Sequence, residues 1–320
     1  MEKKKVCILG GSGFVGRHLC AALARGRHRI RVLTRRRETV RDLLVFPTLE
    51  LVETDVHLGS ELGVHFQDCD VVVNLVGILN EGSSETEQFE SAHAALATTV
   101  AEACRSSRVP RLLHMSALNA TPDAPSKYLR SKAKGEDAAH RAAAAGLAVT
   151  SFQPSVIFGF DDSFFNRFAH LLTISPWFFP LACPDSRFAP VYVEDVVRAF
   201  LKSLDDKSSH GKRYQLCGPR TYTLLELVEY TARVAGIRRS VVELGEDLSK
   251  LQALALEQLP GKPFSYDNYL SLQVDSACDC NGLVKLGIAP TSIESIVPGY
   301  LGKENKTGRY ENLRSSAGRT

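Results

Sequence analysis

The sequence predicts an α/β protein, with a Rossmann-type doubly wound parallel sheet followed by a smaller, irregular C-terminal portion. Short apolar runs alternate with helix-periodic segments over the first half of the chain, as in βαβ units. A glycine-rich turn lies between the first apolar run and the first helical segment. Ten of the fourteen prolines lie from Pro154 onward, so the regular alternation ends there.

Each predicted strand is a short, mostly apolar run, as expected for parallel strands that are buried on both faces. These runs cover residues 6–9, 30–34, 49–53, 70–76, 111–116, 148–153 and 214–217. Segments whose apolar residues recur every three to four positions are predicted helices. They cover residues 14–25, 87–105, 127–145, 163–174, 194–204, 223–235 and 247–258.

Composition argues against several classes of protein. The 39 basic and 36 acidic residues leave a net charge of +3, too small a surplus to favour nucleic acid as a partner. No apolar run approaches the ~20 residues of a transmembrane helix, and the first strand begins too early for a targeting segment. The eight cysteines are scattered, which predicts reduced thiols in a cytoplasmic protein. Cys278 and Cys280 are too few ligands for a metal site.

The turn after the first predicted strand has the glycine spacing of a dinucleotide site. The phosphate-binding residues predicted here are Gly10, Gly11, Ser12, Gly13, Phe14, Val15 and Gly16. Glycine allows the tight turn, the close approach of the pyrophosphate and close packing of helix on sheet. The helix N-terminus then offers N–H groups to the anion. A glycine-rich turn without a ligand is the alternative.

Two arginines follow the second predicted strand, where an NAD site usually has an acidic residue that holds the ribose 2′-hydroxyl. Arg35 and Arg36 are basic instead, and a guanidinium there pairs with a 2′-phosphate. The sequence therefore predicts NADP(H) rather than NAD(H). A solvated charge run that opens the next helix is the alternative.

Residues at the ends of the third and fourth strands are further candidates, chosen mainly by their position. Asp55 and Val56 would lie beside the adenine, and Leu75, Val76 and Gly77 would line the cofactor. Ordinary strand-end loops explain these residues equally well.

Tyr128 and Lys132 form a YxxxK spacing at the start of a predicted helix, and residues i and i+4 share one helix face. A nearby ammonium favours the phenolate, so this tyrosine could exchange a proton with a carbonyl or alcohol. Ser116 ends the preceding strand and could hydrogen-bond the same oxygen. A surface pair of side chains is the alternative. None of the nine histidines is expected to be catalytic, because they do not cluster in sequence.

The apolar segment at residues 175–181, SPWFFPL, has two interpretations. It is a buried loop of the C-terminal portion, which we favour. If it is exposed, it faces a lipid surface, a partner subunit or a hydrophobic substrate such as a quinone.

These motifs together resemble the extended and atypical branch of the short-chain dehydrogenase/reductase superfamily. The QPSVIFG segment is similar to the one that passes under the nicotinamide in sugar-nucleotide epimerases, which implies cofactor contacts from Pro154, Ser155, Val156 and Ile157. Four further segments resemble one subgroup more closely. They are NLVGIL at 74–79, HMSAL at 114–118, GE at 135–136, and PVYV with DV at 190–196. That subgroup contains the NADPH-binding accessory subunit of respiratory complex I and its bacterial relatives.

The resemblance implies two kinds of protein. One is a nucleotide-binding accessory or assembly protein, with respiratory-complex subunits or a quinone-type molecule as partners and a peripheral place at the inner face of a membrane. The other is an active NADP(H)-dependent oxidoreductase, or an epimerase or dehydratase acting on a nucleotide-sugar. The predicted organisation is a dinucleotide-binding domain at 1–160, a smaller substrate- or partner-facing portion at 161–301 that returns some segments to the sheet, and a mobile tail at 302–320.

Overall fold

The computed structural model describes residues 2–57, 59–78, 88–259 and 262–302. Its main sheet has seven strands, and every neighbouring pair is parallel. In chain order they are β1 (Lys5–Leu9), β2 (Arg29–Thr34), β3 (Leu49–Glu53), β4 (Val71–Asn74), β5 (Arg111–Met115), β6 (Ala148–Pro154) and β11 (Arg213–Leu216). Their order across the sheet is β11-β6-β5-β4-β1-β2-β3, so the chain winds outward in both directions from β1.

Helices connect these strands. They are α1 (Phe14–Arg25), α2 (Gly59–Phe66), α3 (Leu96–Ser106), α4 (Lys127–Arg141) and α6 (Val193–Ser203). A further short helix, α10 (Gly282–Lys285), comes after the last strand and contacts β11. A π-helical segment, Glu90–Ala95, leads directly into α3. Short 3-10 segments cover Arg37–Val45, Ala142–Ala145 and Lys207–Ser209. One buried cluster joins the sheet to α2 and α3 and contains Leu9, Phe66, Val72, Val100 and Leu112.

The chain divides into two compact units. The first contains Met1–Pro154, Glu194–Leu216 and Cys280–Ile288, and therefore the whole main sheet. The second contains Ser155–Val193, Cys217–Asp279 and the residues from Ala289 onward. The division falls where β6 ends, slightly before the predicted boundary at residue 160, and two later segments return to the first unit.

The second unit is built from short strand pairs and helices. The pairs join β7 (Ile157–Phe158) to β10 (Val191–Tyr192), β9 (Arg187–Phe188) to β12 (Tyr222–Thr223), and β8 (Phe178–Leu181) to β13 (Ser240–Glu243). The helices are α5 (Phe165–Ile174), α7 (Leu224–Ala235), α8 (Glu246–Leu256), α9 (Tyr266–Ser271) and α11 (Ile293–Leu301). Two buried apolar clusters lie around α5 and α7.

The predicted fold class is confirmed, and the differences from prediction have local causes. The run at 214–217 becomes β11, which pairs with β6 at the edge of the main sheet. The continuous helix predicted at 87–105 is π-helical before Leu96. Helix α11 was missed because it contains Pro298, which sequence rules treat as a helix breaker. Residues 303–320, where a mobile tail is expected, lie outside the described residues.

The prediction that the cysteines are reduced thiols is wrong for one pair. Cys217 and Cys278 form a disulfide within the second unit, between residues 61 positions apart. Cys7, Cys20, Cys69 and Cys104 are free and buried, as expected. Spacing could not reveal the disulfide, because Cys217 and Cys278 are far apart in sequence and meet only in the folded unit.

Candidate functional site

The glycine turn has a backbone that other residues could not adopt without strain. Gly10, directly after β1, has a φ of +77°, in the region that favours glycine. A Cβ on Gly16 would lie 2.4 Å from the carbonyl O of Gly10. A Cβ on Gly11 would lie 2.9 Å from a methyl group of Val32 on β2. The turn is therefore packed closely against both the sheet and the helix that follows.

Helix α1 begins in a way that suits an anion. Its N-cap is Gly13, so no side chain caps the helix, and its first turn contains no acidic residue. The Gly13 N–H donates to the carbonyl O of Gly10, which closes the turn below the helix. The first N–H groups of α1, from Phe14, Val15 and Gly16, are thus directed at the space beyond the turn. Ser12 is held by Arg17, whose Nε donates to its carbonyl O.

Arg35 and Arg36 lie between the end of β2 and the 3-10 segment that begins at Arg37. Both are exposed, and neither guanidinium bonds to any part of the chain that the structure describes. Two other arginines in this region do form ion pairs, Arg17 with Asp42 and Arg41 with Glu38. The charges of the two predicted phosphate ligands therefore remain available, as does that of the exposed Arg37 beside them, whose printed hydrogen bond is made by its backbone N–H.

The strand-end candidates occupy different environments. Asp55 is exposed and accepts a hydrogen bond from the His57 N–H at 3.0 Å, while Val56 is buried in the apolar cluster of the first unit. Leu75 packs against the glycine turn, because a Cβ on Gly10 would lie 3.0 Å from its carbonyl carbon. The Val76 N–H donates to Asn74 Oδ1 at 3.1 Å, which fixes the chain as it leaves β4.

Tyr128 and Lys132 lie on the first turns of α4, which Ser126 caps by accepting from the Leu129 N–H. Lys132 is almost fully buried, and its Nζ donates to the carbonyl O of Met115 at 2.7 Å. That carbonyl immediately precedes Ser116. The α4 lysine and the end of β5 are thus brought together.

Ser116 is 3% exposed, and its Oγ is among the few buried side-chain oxygens without a hydrogen-bond partner in the described structure. Its backbone is fixed by the N–H that donates to the carbonyl O of Phe152 at 2.8 Å. A buried hydroxyl without a partner costs free energy, so most buried hydroxyls are satisfied. This hydroxyl can serve a ligand instead.

Burial dominates the electrostatics of the pair. It lowers the pKa of Lys132 to about 8, against an opposing effect of Glu136. It raises the pKa of Tyr128 to about 12. The positive charge of Lys132 led us to expect a phenolate, but desolvation of the buried phenol raises the pKa of Tyr128 instead. The structure therefore holds a neutral phenol that can donate a proton.

His93 belongs to this site, although sequence reasoning assigned it no role. Its Nε2 accepts from the Ile78 N–H at 3.0 Å, so its Nδ1 carries the proton and donates to Ser131 Oγ at 2.8 Å. Ser131 in turn donates to the carbonyl O of Tyr128. Burial, together with Lys132, lowers the pKa of His93 to about 3, which keeps the ring neutral.

Gly77 lies beside His93 and Lys132. A Cβ there would lie 3.5 Å from His93 Nε2 and 3.6 Å from Lys132 Nζ. His93 thus connects the loop after β4 to α4. Its position in the sequence offered no signal, because its partners lie 15 and 38 residues away.

The last predicted cofactor residues fall in both units. Pro154 ends β6, and its carbonyl O accepts from the Leu118 N–H at 3.1 Å, two residues beyond Ser116. Ser155, Val156 and Ile157 belong to the second unit. There Ser155 Oγ donates to the carbonyl O of Ser276, the carbonyl of Val156 accepts from the Val191 N–H, and Ile157 pairs with β10.

Two properties of the described residues bear on other functions. They contain no group of three or more His, Cys, Asp or Glu side chains placed to hold a metal ion. None of their helices has the length and apolar character needed to cross a bilayer.

Comparisons with known proteins agree with this geometry. The family model described as the NAD dependent epimerase/dehydratase family matches residues 6–217. The chain is 30% identical over 233 residues to NADH dehydrogenase (ubiquinone) 1 alpha subcomplex subunit 9, mitochondrial, from Mus musculus. That match covers 70% of this chain and 59% of the relative, so much of the relative's length has no counterpart in the match.

A bacterial relative and a solved structure extend the comparison. The chain is 30% identical over 249 residues to the ceramide reductase of Caulobacter vibrioides, with 75% of this chain and 73% of the relative covered. The UDP-N-acetylglucosamine 4-epimerase from Methanobrevibacter ruminantium has a TM-score of 0.72, at 16% identity, over 98% of this chain and all of that one. This likeness shows the fold alone. The chain belongs to the NAD dependent epimerase/dehydratase family, and it is a nicotinamide-dinucleotide-binding protein of the atypical short-chain dehydrogenase/reductase type.

Proposed function

We propose that this protein binds NADP(H) in preference to NAD(H) and reduces a carbonyl group of a small molecule, with quinones as the first class to test. The observation that carries the proposal is the buried, unsatisfied Oγ of Ser116 beside the carbonyl that holds Lys132. Thr48, Ser203 and Ser271 have similarly unpaired hydroxyls in the described structure, but Ser116 is the one that directly follows the carbonyl held by Lys132. The retained hydroxyl therefore supports a site built for a substrate oxygen.

The residues present fit the cofactor. The glycine turn packs its backbone closely against the sheet and α1, and α1 begins with no side-chain cap, so its first N–H groups suit a pyrophosphate. Arg35 and Arg36 carry the available charge that a 2′-phosphate requires. Lys132 would hold the nicotinamide ribose, and Asp55, Val56, Leu75, Val76 and Gly77 would line the adenine and the remaining cofactor. Ser155, Val156 and Ile157 stay predicted contacts from the second unit.

The chemistry follows from the protonation states. A nicotinamide dinucleotide bound here would supply a hydride, that is two electrons and one proton, to the carbonyl carbon. The neutral Tyr128 phenol would give its proton to the carbonyl oxygen, and Ser116 Oγ would donate a hydrogen bond to the same oxygen. Lys132 would stabilise the phenolate that remains until the proton is replaced from solvent.

The direct test has two steps. First, the purified protein is denatured and the released nucleotide is identified. Recovery of NADP(H) is expected, and recovery of NAD(H) alone would overturn the cofactor assignment. Second, NADPH oxidation is measured with quinones and simple carbonyl compounds. Tyr128→Phe should reduce turnover about 10²- to 10⁴-fold while NADPH binding changes little. Tyr300→Phe is the matched control, because that phenol donates to Asp162 within the second unit.

The arginines allow a separate test of cofactor preference. Arg35→Ala should weaken NADPH binding about tenfold or more and leave NADH binding unchanged, because only the 2′-phosphate loses a charged partner. Arg41→Ala is the control, since Arg41 already pairs with Glu38. Calorimetric titration with both nucleotides gives the comparison. Equal losses for both nucleotides would contradict a 2′-phosphate contact.

A second function is supported by a different observation. The relative named as a NADH dehydrogenase subunit favours a protein that holds NADPH as a structural ligand. A ligand bound only by the native state stabilises it without any turnover. Such a protein would act as an accessory or assembly partner of respiratory-complex subunits, and we propose a cytoplasmic location, peripheral at the inner face of a membrane. Tight NADPH without oxidation by any acceptor would select this role.

A nucleotide-sugar epimerase or dehydratase is less well supported. Such an enzyme retains NAD, and Arg35 occupies the position where an NAD site usually has an acidic residue.

A further inference from the structure

The segment at 174–178 of the second unit exposes its apolar side chains instead of burying them. Trp177 is 83% exposed, Ile174 is 61% exposed and Phe178 is 51% exposed. The favoured interpretation of residues 175–181 as a buried loop is therefore wrong for Trp177 and Phe178. We call Ile174, Trp177 and Phe178 the aromatic tip.

The tip is held by its own unit. Arg239 Nε donates to the carbonyl O of Ser175 at 2.7 Å, and Ser175 Oγ donates to the carbonyl O of Leu171 at 2.8 Å. Phe179 turns the other way and packs edge-on against Phe168, at 6.3 Å between ring centroids. Because strand side chains alternate, this inward Phe179 fixes Phe178 on the outer face. The exposure thus belongs to ordered structure.

The two stretches of chain that carry the tip and its paired strand are basic, and the first acidic residue of β13, Glu243, lies at the end away from Phe178. Residues 163–184 and 230–242 contain four arginines, Arg167, Arg233, Arg238 and Arg239, and no Asp or Glu. The two stretches are joined by the pairing of β8 with β13, in which Phe178 lies opposite Ser240. Arg238 is exposed. An apolar tip with exposed tryptophan and phenylalanine, surrounded by arginine, is suited to the interface of an anionic bilayer.

A nearby apolar face provides a contrast. Helix α8 buries the small residues Ser249 and Ala253 and exposes Leu248, Leu251 and Leu254. Its first turn contains Glu246 and Asp247, and Glu243 ends the preceding strand. Anionic headgroups would repel this face, although it is as apolar as the tip. The distribution of charge therefore selects the tip as the lipid-facing part.

We propose that the aromatic tip, with Arg238 and Arg239 beside it, docks the protein on the surface of an anionic lipid bilayer. The tip lies in the second unit and needs no nucleotide, so the proposal stands apart from the cofactor and the reaction. It assigns a defined surface of the protein to the peripheral location that is proposed above. The relatives named for ubiquinone and ceramide fit such a surface, since both are water-insoluble molecules.

Fluorescence gives a direct test, because Trp177 is the single tryptophan of the chain. The full-length protein is mixed, without nucleotide, with vesicles of phosphatidylcholine alone or with added phosphatidylglycerol. Binding to the anionic vesicles should move the Trp177 emission to shorter wavelength, and high salt should reverse it. Neutral vesicles should bind much less. No binding to anionic vesicles at low salt, or binding without an emission shift, would overturn the proposal.

Cosedimentation of variants with the anionic vesicles shows which side chains contribute to binding. Ile174→Ser and Arg238→Glu should each lower the affinity about tenfold. Leu251→Ser is the matched control, because Leu251 is also 61% exposed but lies on the acidic flank, and it should change the affinity less than twofold. An equal loss in Leu251→Ser would indicate a broad apolar partner instead of lipid. An emission shift that follows protein concentration without vesicles, with a dimer in ultracentrifugation, would indicate a second copy of the chain.

Discussion

Two buried polar clusters, one in each unit, contain a tyrosine near a charged group, and they differ in how fully their polar atoms are satisfied. In the second unit, Asp162 accepts from Tyr300 Oη at 2.6 Å and from the N–H groups of Gly159, Phe164 and Asn166. In the first unit, Ser116 Oγ has no partner and Lys132 Nζ donates only to Met115 among the described residues.

The difference separates a structural cluster from a functional one. Burial raises the pKa of Asp162, but four hydrogen bonds oppose that rise and stabilise the carboxylate. Lys132 has no comparable set of partners, and its pKa is lowered to about 8. A satisfied cluster contributes to stability, whereas an unsatisfied one keeps hydrogen-bonding capacity for a ligand.

Lys132→Met should give the largest effect that separates the two clusters. Turnover should fall about 10²- to 10⁴-fold, because the phenolate of Tyr128 loses its cation. The free energy of unfolding should stay constant or rise by about 2 kcal/mol, because a buried charge with few partners is replaced by an apolar chain of similar length. Steady-state kinetics and urea unfolding give the two values. A large loss of stability would show that Lys132 is structural.

Asp162→Ala should have the opposite pattern. Four donors lose their acceptor in a buried site, so the free energy of unfolding should fall by about 3 to 5 kcal/mol. NADPH binding per folded molecule should be largely retained, since the glycine turn, Arg35 and Lys132 all belong to the first unit. Asp185→Ala, at an exposed position in the same unit, serves as the control and should be within ~0.5 kcal/mol of the parent. A loss of less than about 1 kcal/mol in Asp162→Ala would show that the satisfied cluster contributes little to stability.

The sequence predicted most of the first unit because its signals are local. The glycine turn, the apolar strands and the YxxxK spacing each lie within a few neighbouring residues, and α1 and β3 have the predicted bounds. What could not be predicted depends on residues far apart in sequence. His93 meets Ile78 and Ser131, Asp162 meets Tyr300, and Cys217 meets Cys278 only after folding. The second unit consists largely of such contacts.

The pH dependence of stability tests the buried histidines of the first unit. Burial lowers the pKa of His93 to about 3 and that of His114 well below its ordinary value. Their stabilising contribution is fully present above pH 6.5 and is lost as the pH falls toward the folded pKa, because the unfolded chain binds more protons there. Each group can contribute a slope of up to about 1.4 kcal/mol per pH unit.

Thermal unfolding between pH 7 and pH 4 measures this slope. His93→Asn should be less stable than the parent at pH 7 and should show a flatter decline toward pH 4. His57→Asn, at an exposed position, should follow the parent curve. A parent whose stability is constant over this range would contradict neutral, buried histidines.

Ser116→Ala should give the smallest effect and the most specific one. Turnover should fall about 10- to 100-fold, because one donor to the substrate oxygen is lost. The free energy of unfolding should be unchanged or rise by up to about 1 kcal/mol, because a buried hydroxyl without a partner is removed. Ser126→Ala is a suitable contrast, since its Oγ caps α4 and its loss should cost about 1 kcal/mol of stability. If Ser116→Ala loses stability as Ser126→Ala does, then Ser116 Oγ has a structural partner in solution, and the main support for a substrate-binding site at this point is gone.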